Sequence, residues 1–155
     1  MRVFKEKQNM MTWWMLALLL VIMGYQLYLY GTDLERLIRE PSLWITVLVI
    51  ILLAAMQLHT RYDEKGIYVR FLPFVWGRQI SWDSIAHAYL RTYDISDFGG
   101  WGYRVGRQGK AYNAKGKDGL QLVMKDGSQL MIGTQHPEEL KKIIQDYKPY
   151  TDEFE

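Results

Sequence analysis

Two long stretches without a single charge, close together near the N-terminus, decide most of what this chain can become. From Met10 to Tyr30, 21 residues pass without Asp, Glu, Lys or Arg, and they include Trp13, Trp14, Leu16, Leu18, Leu19, Leu20, Val21 and Ile22. Coiled into a helix at about 1.5 Å per residue, the run reaches roughly 31 Å, the thickness of a hydrocarbon core. A second run of 18 residues goes from Pro41 to Leu58, with Ile45, Val47, Leu48, Val49, Ile50, Ile51, Leu52 and Leu53 at its centre. As core helices of a water-soluble protein, two such neighbours would need a far larger body around them. The expectation is two transmembrane helices, over about 10–30 and 41–58. A signal peptide fits the first run poorly. Its apolar stretch is longer than an h-region, and the sequence around Tyr25, Tyr28 and Tyr30 lacks the small-x-small cleavage pattern.

The ten residues between the runs, Gly31 to Glu40, leave room only for a loop joining an antiparallel hairpin. Lys and Arg set its orientation. Three flank the first run (Arg2, Lys5, Lys7) and three follow the second (Arg61, Lys65, Arg70), against two in the loop (Arg36, Arg39). Both termini and the remainder of the chain are therefore expected on the cytoplasmic side of the cell (inner) membrane. Neither run contains a charged residue or a His before His59, the usual marks of an ion path. Gln26 and Gln57 fall near opposite faces of the bilayer and do not pair. Ala17 lies at a depth similar to Ala54 and Ala55, where small residues favour close helix packing.

The rest of the chain is different in kind. Residues 59–155 hold 14 of the 19 Lys/Arg and 13 of the 17 Asp/Glu. The expected division is a hairpin over 1–59 and a cytoplasmic domain over 60–155. Short runs rich in β-branched and aromatic residues recur at Gly66–Phe71, Val75–Ile80, Ile85–Thr92, Leu120–Lys125 and Gln129–Gly133, with weaker ones at Tyr103–Val105 and Ala111–Asn113. Asp126-Gly127 is a hairpin turn signal between the last two of the main runs. One helical pattern follows: Pro137 at a first helical position, Glu138 and Glu139 in the first turn, then Leu140, Ile143, Ile144 and Tyr147 at helical spacing.

About seven strands closed by a C-terminal amphipathic helix is the order of a pleckstrin-homology-like (PH-like) β-barrel. The chain resembles the small bacterial membrane proteins that carry a PH-like domain after two transmembrane helices. The residues that carry the resemblance are Lys65-Gly66-Ile67, Ile80-Ser81-Trp82-Asp83-Ser84-Ile85, Gly99-Gly100-Trp101-Gly102-Tyr103-Arg104, Gly119-Leu120-Gln121-Leu122 and Ile132-Gly133-Thr134-Gln135-His136-Pro137-Glu138-Glu139-Leu140. The resemblance implies an α+β membrane protein and a membrane address, and no activity. The turn corresponding to the basic phosphoinositide loop of eukaryotic PH domains reads Leu72-Pro73-Phe74 here.

Motifs for chemistry are sparse. With no Cys there is no disulfide, thiolate or Cys-ligated metal. His59, His87 and His136 are scattered, and no nucleophile elbow surrounds Ser81, Ser84, Ser96 or Ser128. Asp94 and Asp97 read as an ordinary loop pair. Gly109-Lys110 and Gly116-Lys117 lack the rest of a P-loop. No enzyme, cofactor or metal is expected. A formal charge of +2 argues against a nucleic-acid partner.

The informative stretch is Gly99 to Gly119. It holds 7 of the 13 glycines and five cations (Arg104, Arg107, Lys110, Lys115, Lys117), with no acid until Asp118 and with Phe98, Trp101, Tyr103 and Tyr112 interleaved. Cations draw anionic lipids at about 1 kcal/mol each, and aromatic rings seat at headgroup level. A surface for anionic lipid headgroups or for a partner protein, built on Trp101, Tyr103, Arg104, Arg107, Lys110, Lys115 and Lys117, is one reading. A long hairpin with turn glycines and packed aromatics is the other. The functional expectation is a non-enzymatic, membrane-anchored PH-like module that binds a partner or the inner leaflet. The alternative is an accessory or scaffolding subunit of a larger membrane complex, with the hairpin as its interface.

Overall fold

The computed structural model describes residues 2–93, 102–106 and 109–147. The chain forms two compact units, one of Met1–Gln8 with Gln57–Glu155 and the other of Asn9–Met56. This differs from a cut at residue 59, because a strand precedes the first helix. In β1 (Phe4–Asn9), Phe4, Glu6 and Gln8 point inward while Lys5, Lys7 and Asn9 point outward. The period-two alternation of an edge strand lies in what reads, by charge alone, as a basic flank.

The second unit holds the apolar helices. The first, α1 (Trp13–Tyr30), is long and apolar enough to cross a membrane by length and composition. The second apolar helix, α3, runs only from Pro41 to Ala55 and not to Leu58. At about 22 Å it falls short of the hydrocarbon thickness. Pro41 starts it at the first helical position, and Gln57 already belongs to a strand. The expected loop between them contains a helix of its own, α2 (Leu34–Arg39). Asp33 caps it by accepting from the Arg36 N–H at 3.2 Å, and Leu37 is buried. Ala17, Ala54 and Ala55 are exposed. The buried polar link from α1 to α3 is Gln26 Nε2 donating to Thr46 Oγ1 at 3.1 Å, and Thr46 itself donates to the Ser42 carbonyl at 2.9 Å. Gln26 thus finds the hydroxyl of the sixth residue of α3, not another Gln.

The first unit contains two sheets. Sheet A has the order β1-β2-β3-β4, where β2 is Gln57–Asp63, β3 Gly66–Leu72 and β4 Val75–Ile80. The β2–β3 pair runs antiparallel from Gln57 opposite Leu72 to Asp63 opposite Gly66. The Phe4 and Tyr62 rings lie 5.7 Å apart, and the Met10 N–H donates to the Met56 carbonyl at 3.1 Å. The helical segment is therefore an insertion between two neighbouring strands. Sheet B has the order β5-β8-β9-β7-β6, with β5 Ile85–Thr92, β6 Gly102–Gly106, β7 Gly109–Asn113, β8 Asp118–Met124 and β9 Gln129–Gly133. All its described pairs are antiparallel except β7 with β9. Among the described residues the strands form these two sheets and no closed barrel, so the expected barrel is corrected to a pair of sheets.

The core gathers Leu58, Tyr62, Ile67, Phe71, Ile85, Leu120, Leu122 and Ile132 with Leu140, Ile143 and Ile144 of α4 (Pro137–Tyr147). The motifs of the resemblance serve this framework. Trp82, in a short 3₁₀ turn, stacks on Tyr147 at 5.3 Å and donates from Nε1 to the Asp63 carbonyl at 2.7 Å. Gly133-Thr134-Gln135 is held by Glu6, whose carboxylate accepts from Thr134 Oγ1 and the Gln135 N–H, both at 2.7 Å, and from Gln8 Nε2 at 2.9 Å. The Tyr147 hydroxyl donates to the Arg2 carbonyl. At Asp126-Gly127 the chain turns in three residues: the Gly127 N–H reaches the Met124 carbonyl, Ser128 closes the ladder, and Gly127 takes φ 86°.

Candidate functional site

Of the seven residues singled out for binding, Trp101 and Arg107 lie outside the described residues. Tyr103 and Arg104 fall on β6, Lys110 on β7, and Lys115 and Lys117 in the turn before β8. The pairing of β6 with β7 sorts them. Gly106 faces Gly109 at one end of the hairpin and Gly102 faces Asn113 at the other. Lys110 belongs to the first end, Lys115 and Lys117 to the second. The cations do not form one cluster.

At the first end, Lys110 and Arg78 of β4 line a cleft of about 460 Å³ together with Val105, Met124 and Leu130. Asp126 stands nearby. Its carboxyl is held below the usual range by the Ser128 hydroxyl and N–H at 2.6 and 2.8 Å, with the Arg78 charge adding to this. Gly109 is required here. Its φ is +108°, and a Cβ would come within 2.2 Å of the Gln129 carbonyl oxygen. That glycine serves strand approach, as the structural reading of the stretch expects.

At the second end, the Lys115–Lys117 turn is fixed from below. The Tyr93 hydroxyl donates to the Gly116 carbonyl at 3.2 Å and the Tyr93 N–H to the Lys117 carbonyl at 2.9 Å. Burial, with Asp118 adding, pushes the Tyr93 phenol up to about 12, so it stays a donor. Lys117 projects into solvent and Lys115 is half-buried. Tyr103 stacks between its cross-strand partner Tyr112, at 5.4 Å, and Phe74 of the β3–β4 turn, at 5.9 Å. This aromatic file joins the two sheets. Tyr103 is thus mainly a packing residue, while Arg104 and Lys110 are exposed.

Two groups of residues lie outside what the sequence reading selected. Phe74 is 51% and Trp76 77% exposed, large apolar side chains on the edge strand β4 and its turn. On the outward face of sheet A, Arg70 pairs with His59 in register, and Lys7 lies near enough to His59 to act on it. Desolvation first, then Lys7 and Arg70, hold the His59 imidazole below its usual value. The alternation Phe4-Lys5-Glu6-Lys7-Gln8 was the one signal for Lys7, and it is too short and polar to separate from a charged flank.

His59, His87 and His136 sit on β2, on β5 and before α4. Among the described residues no three His, Asp or Glu side chains gather to hold a metal ion. Compared with family models, curated proteins and solved structures, the chain matches none.

Proposed function

We propose that this protein is a non-enzymatic, membrane-anchored PH-like module whose helical hairpin lies in the bacterial inner membrane and whose cytoplasmic sheet domain works at the anionic leaflet surface. The observation that carries the reading is the exposure of α1. Leu16, Leu18, Leu20, Val21, Ile22, Leu27 and Leu29 are all open, with only Leu19 and Gln26 buried. So much apolar surface is stable only in lipid or under protein.

Connectivity supports two crossings. Because β1 and β2 are sheet neighbours, both ends of the inserted helices belong on one side, and a single crossing by α1 would separate the strands. A short α3 is accommodated by local bilayer thinning at a cost of fractions of a kcal/mol per Å. The PH-like assignment is supported by an antiparallel meander, a second sheet and the closing amphipathic helix. It departs from the expected order in its helical insertion and in the two added strands, β1 and β2, that flank it.

The accessory-subunit reading draws on one specific feature, the open apolar face of the short α3, with Trp44, Ile45, Leu48, Ile51 and Leu52 exposed. Such a face suits a neighbouring helix as well as lipid.

The test uses a chain in which residues 10–56 are replaced by an Asn-Gly turn joining β1 to β2. It is expected to bind vesicles containing anionic lipid, to ignore zwitterionic ones and to lose binding as salt rises. Changing Arg104, Arg107, Lys110, Lys115 and Lys117 to Gln should weaken binding by about tenfold or more, most of it from Lys115 and Lys117 at the second end of the hairpin, since each cation near the surface is worth about 1 kcal/mol. Binding that survives both salt and the five changes would remove the electrostatic reading.

A further inference from the structure

Within sheet A, one end is marked by where the chain leaves β1 and returns into β2. Gln57 opens β2, and it faces Leu72, the last residue of β3. The next residues, Pro73 and Phe74, form the β3–β4 turn, so that turn lies at the same stem end of the sheet. Phe74 in the turn and Trp76 on β4 are exposed there, and β4 is an edge strand among the described residues. Trp76 is largely open, and the Phe74 ring stays half open beside Phe71 and Tyr103.

The same end is cationic on the outward face of the sheet. Arg70 is two residues from Leu72, His59 is its register partner, and Lys7 sits beside His59. Lys7 and Arg70 form no ion pair among the described residues, unlike Arg61, which holds Asp63 at 3.0 Å farther along β2. The Phe74–Tyr103 stack ties this corner to the base of the β6–β7 hairpin, and Lys115 and Lys117 follow that base directly. An aromatic pair rimmed by cations is the composition that seats at a lipid headgroup layer, the ring at the interface and the charge on phosphate.

We infer that the stem end of sheet A is a membrane-docking surface, with Phe74 and Trp76 entering the interface of an anionic bilayer and Lys7 and Arg70 meeting its headgroups. The inference rests on the membrane-anchored reading and adds to it a surface distinct from the Gly99–Gly119 stretch. Its occupant is the bilayer. Continuity favours lipid over protein, because the chain on either side of this end, through Trp13 and back from Ala55, is the apolar helical segment itself.

The chain has no Cys, so single cysteines can carry a spin label in the full-length protein reconstituted in nanodiscs containing anionic lipid. Labels at Phe74→Cys and Trp76→Cys are expected to be open to oxygen and shielded from a water-soluble nickel chelate. A label at Val105→Cys, exposed at the other end of the β6–β7 hairpin, should show the inverse. Val21→Cys, in α1, reports whether the helix is in lipid. With Val21 in lipid, nickel access at 74 and 76 equal to that at 105 overturns the docking surface alone. Shielding from both reagents at 74 and 76 also overturns it, and would point to a protein covering the site. A water-exposed Val21 overturns the membrane reading and this inference with it. Trp76→Cys removes a side chain that is mostly in solvent, so its reading stands even if Phe74→Cys disturbs the ring stack. In discs of zwitterionic lipid, the protection at 76 should diminish, and protection independent of lipid charge would remove Lys7 and Arg70 from the surface.

Discussion

At the residue scale, the first strand ties the sheet domain together through buried polar side chains. Glu6 is 8% exposed, and its carboxylate satisfies a hydroxyl, an amide side chain and a backbone N–H. Truncating it strands buried donors, which cost about 1–3 kcal/mol when left unmade. Glu6→Ala is therefore expected to lower the unfolding free energy of the sheet domain by that amount, whereas Lys5→Ala on the outward face should change it little. Equal effects from the two, measured by urea unfolding, would show that the carboxylate is not the tie. His59 makes the second prediction. Its pKa is depressed in the folded protein by desolvation and by Lys7 and Arg70. Above the unfolded value, about 6.5, both states are neutral and nothing is lost. As pH falls through 6.5 toward the folded pKa, the unfolded chain takes up a proton that the folded one refuses, and stability declines. His59→Gln should flatten the melting temperature over that window, and a slope identical to that of the unaltered protein would remove His59 as its source.

At the scale of elements, the first strand decides which fragments can fold. A fragment beginning at Thr60 lacks β1 and the opening of β2, and with them Glu6, Gln8, Phe4 and Leu58. It should be aggregation-prone or melt far below the chain whose residues 10–56 are replaced by a tight turn, which keeps both strands. Circular dichroism of the two settles this, and equal melting would mean that β1 is dispensable. The same strand explains what the sequence could and could not tell. Strands with β-branched or aromatic residues at period two, such as Gly66–Leu72 and Ile85–Thr92, were legible, as was α4 from Pro137 and its apolar spacing. So was the turn at Asp126-Gly127. β1 was not, because its inward positions include Glu6 and Gln8, polar groups whose partners Thr134 and Gly133 lie over a hundred residues away. β2 was hidden because Gln57 and Leu58 continue an uncharged run, and only its pairing with β3 ends the helix at Ala55. In the Gly99–Gly119 stretch the aromatic content was legible and its use was not. Tyr103 and Tyr112 are spent on a ring stack that composition does not distinguish from a binding surface.

At the scale of the whole molecule, sheet pairing constrains topology more tightly than charge counting does. Flanking Lys and Arg outnumber those in the connecting segment six to two, but Lys5 and Lys7 belong to a folded strand and do not act only as topogenic charges. The firmer argument is geometric. β1 and β2 are hydrogen-bonded neighbours, so the proposed membrane reading requires the segment between them to cross an even number of times. Given an α1 that spans, α3 must return, although it is about 22 Å long against a core of about 30 Å. The Gln26–Thr46 hydrogen bond pairs a donor of one helix with a hydroxyl of the other, leaving Gln26 Oε1 without a partner, and a contact of this kind is worth about 0.6 kcal/mol in a membrane. The predicted arrangement places Thr32 on the outer side, with Lys5 and Gln145 both inside. Single cysteines at these three positions in the Cys-free chain can be exposed to a membrane-impermeant maleimide, first on intact cells and then after lysis. Thr32→Cys should be labelled in both, and Lys5→Cys and Gln145→Cys only after lysis. Labelling of Lys5 and Gln145 from opposite sides would mean one crossing and an unpaired β1. Protection of all three in intact cells would mean that the helices lie on the membrane or against a partner without crossing it.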